Sequence, residues 1–377
     1  MGILQRIFER AFPEFARIHQ LPKYVRVAAQ AVKDCRTAAL GGHVRRCPEG
    51  HVTAVWYNSC GHRACPQCGL RRIGQWLDDW QRHLLPTGHF HVVFTLPSEL
   101  HELWRWNRRP MADLLFRCVK ETLFTLLGDA KWLGARPGVL AALHTWSRTL
   151  ALHPHVHCLL TGGGVSRDGQ WREGPGDYLV PVAVIRKLFR GKVLGELEAL
   201  WQAGQLVLPP TLDGDGMRQV LVAAARKTWN VRLAERYEHG RGGVKYLARY
   251  VRGGPIKTKR GVACDGQQVT LRAKVSAPGV RLSVLEFLRR WREHVPLPGF
   301  HMVRAWGLYA ATQRPQLETC RAQLPLSGLA RESWLKPEER EADQPWERCP
   351  TCGRTLVITE VLARGGAPPP EPLRQAA

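Results

Sequence analysis

Three histidines alternate with apolar residues in Leu152-His153-Pro154-His155-Val156-His157-Cys158-Leu159-Leu160, and about ninety residues later Lys245-Tyr246-Leu247-Ala248-Arg249-Tyr250 sets two tyrosines four positions apart. In an extended strand alternate side chains share a face, so His155 and His157 point together while Val156 packs beneath them. Two neutral imidazoles converging on one divalent ion leave coordination positions open, and such an ion polarises a phosphate oxygen as a Lewis acid. His153 keeps the same parity across Pro154, and His153, His91 and Glu235 are all candidates for a third ligand. In a helix, a spacing of four stacks Tyr246 and Tyr250 on one face, within reach of a common target. A phenol with a pKa of about 10 needs help to attack a phosphodiester, which a metal on the phosphate and a nearby Lys or Arg supply. On its own each motif is common, since paired histidines on a strand or tyrosines on a helix are more often core residues. Together they point to an enzyme that cuts and rejoins a DNA strand through phosphotyrosine.

The charge balance supports that reading. The 377 residues carry 55 Lys+Arg against 32 Asp+Glu, a formal net charge of +23. A polyanion is the simplest partner for that excess, and nucleic acid is favoured over membrane because no apolar run approaches the roughly 20 residues of a bilayer span. Between 241 and 281, Lys245, Arg249, Arg252, Lys257, Lys259 and Arg260, with four further Lys or Arg, face a single acid, Asp265. The six named residues are the expected DNA-binding side chains, gripping phosphates around the tyrosines. Most of the 14 tryptophans read as core residues, and a few near the basic span are candidates to stack on unpaired bases. The opening Met1-Gly2-Ile3-Leu4-Gln5-Arg6 has no signal-peptide core, so an intracellular, cytoplasmic location is expected.

Eleven cysteines in a reducing compartment, with CxxC spacing among them, read as metal ligands rather than disulfides. Cys35, Cys47, His51, Cys60, His62, Cys65 and Cys68 are candidates for tetrahedral Zn²⁺, with Cys65-Pro66-Gln67-Cys68 as a tight knuckle. Seven donors exceed one site, so one ion with spare residues and two ions are both open. A separate knuckle, Cys349-Pro350-Thr351-Cys352-Gly353, has no partner pair near it in sequence and either completes an N-terminal site or is a relic. Cys118, Cys158, Cys264 and Cys320 are scattered and read as structural.

Positioning these groups requires strands and helices in alternation. A helix with apolar spacing is expected around Phe12, Phe15 and Ile18, and a buried strand over His89 to Leu96, ending at Pro97. Helix is expected over 99–134, and strands or short helices over 138–143 and 152–160. Helical patterns over 178–228 are broken by Pro209, Pro210 and Gly214-Asp215-Gly216, which suggests an insertion or subdomain. A strand follows around Trp229, Val231 and Leu233, and then the tyrosine helix, which Gly253-Gly254-Pro255 ends. This pattern gives an α+β fold. From 335 the chain is rich in Pro, Glu and Arg, and 365–377 is disordered by composition.

At these residues the chain resembles the two-tyrosine HUH transposases of the insertion sequence 91 family, which move by rolling-circle transposition. Cys35 through His43, Tyr57-Asn58-Ser59-Cys60 and Cys65-Pro-Gln-Cys68 look like that family's zinc-binding domain. His153 through Gly164 looks like its histidine motif and Tyr246-Leu-Ala-Arg-Tyr250 its tyrosine motif. Phe94-Thr-Leu-Pro97 is similar to the first strand motif of rolling-circle initiators, and Leu285 to Arg290 and His294 to Phe300 also match the family. Two positions depart from the pattern: Gly50 stands where a cysteine is common, and Ala64 where a histidine is.

The resemblance implies an HUH-type antiparallel sheet core flanked by helices and preceded by a small zinc-binding domain. It divides the chain into a zinc-binding domain over 1–85, a catalytic domain over 86–312 with an insertion at about 178–228, and a C-terminal extension over 313–377. It implies Mg²⁺ or Mn²⁺ on His155 and His157, structural Zn²⁺, and a 5′-phosphotyrosine formed on Tyr246 or Tyr250 with release of a 3′-OH. The substrate is then single-stranded or locally melted DNA at the element's ends, handled in the prokaryotic nucleoid. A plasmid replication initiator or relaxase would use the same chemistry, although the zinc domain and the downstream segments favour the transposase. A non-catalytic zinc-dependent DNA-binding protein would keep the charge and the knuckles, and replacing both tyrosines separates it from an enzyme.

Overall fold

The computed structural model describes residues 2–174, 176, 180–237, 242–245, 247, 256, 262–272, 279–324, 347–366 and 374–375. The chain divides into two compact units, each drawn from separated stretches. One comprises Met1–Arg72, Arg252–Val295 and Leu335–Ala377, and the other Ile73–Val251 and Pro296–Trp334.

The second unit is built on a five-stranded sheet in the order Val303–Gly307, Gly138–Trp146, Leu152–Thr161, His89–Thr95, Val231–Tyr237, with every neighbouring pair antiparallel. Residues paired across an antiparallel ladder turn their side chains to one face. Phe90 pairs with Leu160, Val92 with Cys158 and Phe94 with Val156, while Val139, Ala141 and Leu143 meet the same three residues from the other side. All nine are buried in one core cluster. Helix Arg108–Gly128 covers this face with Met111, Leu115 and Val119, and helix Val182–Gln202 with Ile185, Phe189, Val193 and Leu197, one residue per turn. The Phe189 ring lies 4.9 Å from Phe94 and 5.4 Å from Trp229.

The expected α+β architecture, an antiparallel sheet flanked by helices, is therefore what the chain forms. The stretch 178–228 supplies helices Val182–Gln202 and Gly214–Arg226, whose buried residues join the same core as the sheet. The helical reading of 99–134 resolves into His101–Trp106 and Arg108–Gly128.

On the opposite face Leu140, Ala142 and Leu159 pack against Leu84, Leu85, Tyr309, Leu317, Val244 and Leu247. The same face carries the histidines. Central strands rarely contain proline because it has no N–H for the ladder. Here Pro154 sits where the ladder steps: between the His144–His155 and Trp146–Leu152 pairs the histidine strand advances one residue more than its neighbour. The bulge absorbs the missing donor, while the Pro154 carbonyl accepts from the Leu96 amide at 3.0 Å.

The first unit opens with helices Ile3–Ile18 and Lys23–Asp34. Phe12 and Phe15 are buried as their spacing predicts, whereas Ile18, at the last turn, is 53% exposed. Phe8 stacks edge-on against Trp291 of helix Val284–Glu293 at 4.6 Å. A second sheet in this unit has the order Val357–Leu362, Gly42–Arg46, Thr53–Tyr57, Arg374–Gln375. Part of the tail read as disordered is thus strand: Arg374–Gln375 pairs parallel with Ala54 and Val55. Among the described residues no helix is long and apolar enough to cross a membrane.

Candidate metal centres and the tyrosine segment

Strand Leu152–Thr161 presents His155 and His157 on the sheet face away from the helical layer, as their spacing requires. The neighbouring strand adds His144, which pairs directly with His155. Ligand-type nitrogens of His144, His155 and His157 lie within 4.8 Å of one another. Their ring centroids are 4.4 Å apart for His144 and His157, 4.9 Å for His155 and His157, and 5.2 Å for His144 and His155. His144 is the candidate ligand that sequence reading missed. A lone histidine in Leu143-His144-Thr145 carries no spacing signal, and a register is needed to place it opposite His155.

Of the third-ligand candidates, His153 and His91 lie beside this cluster without belonging to it. The His153 ring lies 5.0 Å from His155, tilted by 49°, but is not among the three converging imidazoles. The strand parity that was expected to align it is interrupted by the bulge between Leu152 and His155. His91 lies next to the triad, its Nε2 2.9 Å from His157 Nδ1. Glu235 belongs to strand Val231–Tyr237, and its side chain is outside the described residues.

The protonation states suit metal binding. His155 Nδ1 is 2.6 Å from the His153 carbonyl oxygen, so this nitrogen carries the proton and donates it, leaving the Nε2 lone pair available. Burial holds the His155 pKa down at about 4, and burial with Arg232 nearby does the same for His91. His157 is pushed well below the usual imidazole range by burial and then by His155, His91 and His153. Neutral imidazoles are the ligating form.

Tyr246 and Tyr250 lie outside the described residues, as do Arg249, Arg252, Lys257, Lys259 and Arg260. Around Tyr246, residues 242–245 and 247 are helical, with Lys245 exposed. Val244 and Leu247 are fully buried in the cluster containing Leu140, Ala142 and Leu159. A Cβ at Gly243 would collide with Leu159 Cδ1, so glycine lets this backbone come down onto the sheet. Leu159 is two residues beyond His157 on the same face.

In the other unit the cysteines separate into two groups. Cys35, Cys60, Cys65 and Cys68 bring their sulfurs within 4.8 Å of one another, with Cys60 and Cys68 Sγ 3.6 Å apart. Cys35 caps helix Lys23–Asp34, and the buried Gln5 side chain ties its carbonyl down at 2.7 Å. Sulfur contacts from Cys35, Cys60 and Cys65 hold the Cys68 thiol far below its usual range. Four cysteines in such a cluster fit tetrahedral Zn²⁺. Cys47, His51, Cys349 and Cys352 form the second group. His62 belongs to neither; its Nδ1 accepts from the Ala64 amide at 3.1 Å, a turn contact.

Residues 7–96 match the family described as "Transposase zinc-binding domain", and residues 138–316 match the family described as "Putative transposase". The "Putative transposase y4qJ" of Sinorhizobium fredii is 35% identical over 357 residues, 90% of either chain. The "Transposase for insertion sequence element IS801" of Pseudomonas savastanoi pv. phaseolicola is 32% identical over 293 residues, 73% of this chain and 68% of the relative. Solved structures of the conjugative relaxase TrwC in complex with oriT DNA are similar over 42% of this chain and 68% of theirs, at 14% identity and a TM-score of 0.24, a likeness too slight to carry residue roles across.

The relatives and the two matched domains define a DNA transposase. The chain belongs to the insertion sequence 91 family of transposases, with an N-terminal zinc-binding domain.

Proposed function

We propose that the protein nicks and rejoins single DNA strands through a 5′-phosphotyrosine during rolling-circle transposition of an insertion sequence, with His144, His155 and His157 as the catalytic metal site. The observation that carries this reading is the convergence of the three imidazoles on the sheet face against which Val244 and Leu247, the described residues on either side of Tyr246 in sequence, pack.

The donor set fits a divalent transition ion. Three imidazoles suit Mn²⁺ better than Mg²⁺, which prefers a shell of oxygens. Such an ion, when bound, supplies Lewis-acid withdrawal of charge from a phosphate oxygen. The chain's own groups do the rest. The His153 carbonyl orients His155, and His91 orients His157 through Nδ1. The phenol oxygen of Tyr246 or Tyr250 forms a bond to phosphorus as the bond to the 3′-oxygen breaks. This leaves a 5′-phosphotyrosine and a 3′-OH, with the phenolic proton lost to solvent or a basic neighbour. The phosphodiester energy is kept in the covalent link, so the 3′-OH of another strand reverses the step and completes transfer. A second tyrosine lets two strand ends be held in turn.

Lys245, Arg249, Arg252, Lys257, Lys259 and Arg260 grip the backbone of single-stranded or melted DNA. Cys35, Cys60, Cys65 and Cys68 hold structural Zn²⁺ in the N-terminal domain, which contributes to recognition of the element's ends in the prokaryotic cytoplasm. The test is the double substitution Tyr246→Phe with Tyr250→Phe. It should leave DNA binding nearly unchanged and abolish strand cleavage; cleavage that persists removes both tyrosines as nucleophiles.

A further inference from the structure

Two turns whose cysteines lie 305 positions apart are built alike and face each other. In Cys47-Pro48-Glu49-Gly50-His51 the Cys47 amide donates to the Val52 carbonyl at 2.9 Å, and the Gly50 amide to the Cys47 carbonyl at 2.9 Å. In Cys349-Pro350-Thr351-Cys352-Gly353 the Cys349 amide donates to the Arg354 carbonyl at 2.8 Å, and the Gly353 amide to the Cys349 carbonyl at 2.8 Å. Each turn needs a glycine in the left-handed region, Gly50 at φ +74° and Gly353 at φ +72°. Cys47 Sγ then lies 3.5 Å from Cys352 Sγ and 3.6 Å from His51 Nδ1, and all four ligand atoms fall within 4.8 Å of one another.

Strands run from both turns. The first joins Gly42–Arg46 to Thr53–Tyr57, and the second leads into Val357–Leu362, which pairs antiparallel with Gly42–Arg46. Opposed knuckles on a short antiparallel sheet are the plan of a zinc ribbon, here assembled from two distant segments.

Apart from the backbone ladder with Gly42–Arg46, the forces that hold the second segment in place are weak. Leu356 and Leu362 are buried, but Val357, Ile358 and Val361 are exposed, so apolar burial stabilises this strand little. The ion pairs Arg45–Glu347 at 3.3 Å and Arg354–Glu49 at 2.9 Å include well-exposed partners and contribute little in water. Three thiols and an imidazole gathered at one point supply what is missing, because the free energy of metal binding becomes free energy of docking.

We propose that Cys47, His51, Cys349 and Cys352 hold a second structural Zn²⁺, distinct from the Cys35, Cys60, Cys65 and Cys68 centre, and that this ion fastens residues 347–366 to the N-terminal hairpin. It is the more accessible of the two, since His51 and Cys352 are exposed whereas all four residues of the other centre are buried or half-buried. The proposal extends the zinc-binding assignment and does not rest on strand cleavage.

Native mass spectrometry of the full chain counts zinc, and hydrogen exchange reads the protection of the Gly42–Arg46 amides. Relative to the unsubstituted chain, Cys349→Ser with Cys352→Ser should lose one zinc and expose those amides. His51→Ala, at an exposed position, should do the same without disturbing a core, and His51→Cys should restore both readouts. An unchanged zinc count in His51→Ala and in the double variant overturns the second centre. Loss of zinc with protection intact overturns its fastening role.

Discussion

His144 stands directly across the ladder from His155, with ring planes at 89° and centroids 5.2 Å apart, so a strand with no histidine motif supplies the third imidazole of the cluster. His144→Ala removes a ligand while leaving a small side chain at a sheet position that already has Ala141 and Ala142 as neighbours. The expected result is a loss of Mn²⁺ affinity by at least about 10-fold, since even outer-shell partners contribute that much. Titration of metal by calorimetry measures it, and an unaltered affinity removes His144 from the site. His153→Ala, by contrast, should change affinity far less.

The close approach at Gly243 makes a second prediction. Gly243→Ala forces its methyl group into Leu159, itself fully buried, so either the core shifts or the tyrosine segment lifts. Overpacking of this kind costs about 1–3 kcal/mol. Cleavage should fall steeply while binding of single-stranded DNA is nearly retained, as separate gel-shift and nicking assays would show.

Acid should destabilise the sheet unit over a defined window. His89 is completely buried, and burial lowers its pKa to about 4 against the opposing carbonyl of Thr87. The unfolded chain takes up a proton near pH 6.5, but the folded one resists it until about pH 4. The stability is therefore fully present above pH 6.5 and is lost as pH falls towards 4, by on the order of 3 kcal/mol for this one group. His101, also lowered to about 4 by burial first and then by His153 and Arg105, acts in the same direction. Urea midpoints at pH 7 and pH 4.5 test this, and identical midpoints contradict it.

Gly307 ends the edge strand with φ +59°, and a Cβ there would meet the Pro137 carbonyl oxygen and the Phe124 ring. Because the obstacle is backbone, Gly307→Ala has no cheap relaxation. It should lower the melting temperature more than Gly204→Ala, where φ is +65° but nothing among the described residues lies within 4 Å. Equal effects of the two substitutions would show that the φ angle alone decides the cost.

Periodicity carried far along this chain, and it failed where register or distance in sequence decided the outcome. Ile185, Phe189, Val193 and Leu197 repeat every four residues, and Phe90, Val92 and Phe94 every two, so the elements and their buried faces were legible. Parity along one strand correctly joined His155 to His157. It left the third ligand open among His153, His91 and Glu235, and it could not reach His144, whose relation to His155 exists only across the ladder. Prolines at 209 and 210 suggested an inserted subdomain, yet the helices on either side bury their apolar stripes in the common core. Cys349 and Cys352 looked partnerless because Cys47 and His51 are some 300 residues away in the chain and adjacent in space. Ile18 follows the helical spacing of Phe12 and Phe15, but at the last turn its side chain is exposed.

The central claim is tested most directly by incubating the purified protein with labelled single-stranded DNA from the ends of its own element, with Mn²⁺ or with EDTA, and resolving the products on a denaturing gel. The account predicts a covalent protein–DNA adduct that forms with Mn²⁺, is absent in EDTA, and maps by peptide mass to Tyr246 or Tyr250. Tight binding with no adduct under any divalent metal would contradict it and favour a protein that holds DNA without cutting it.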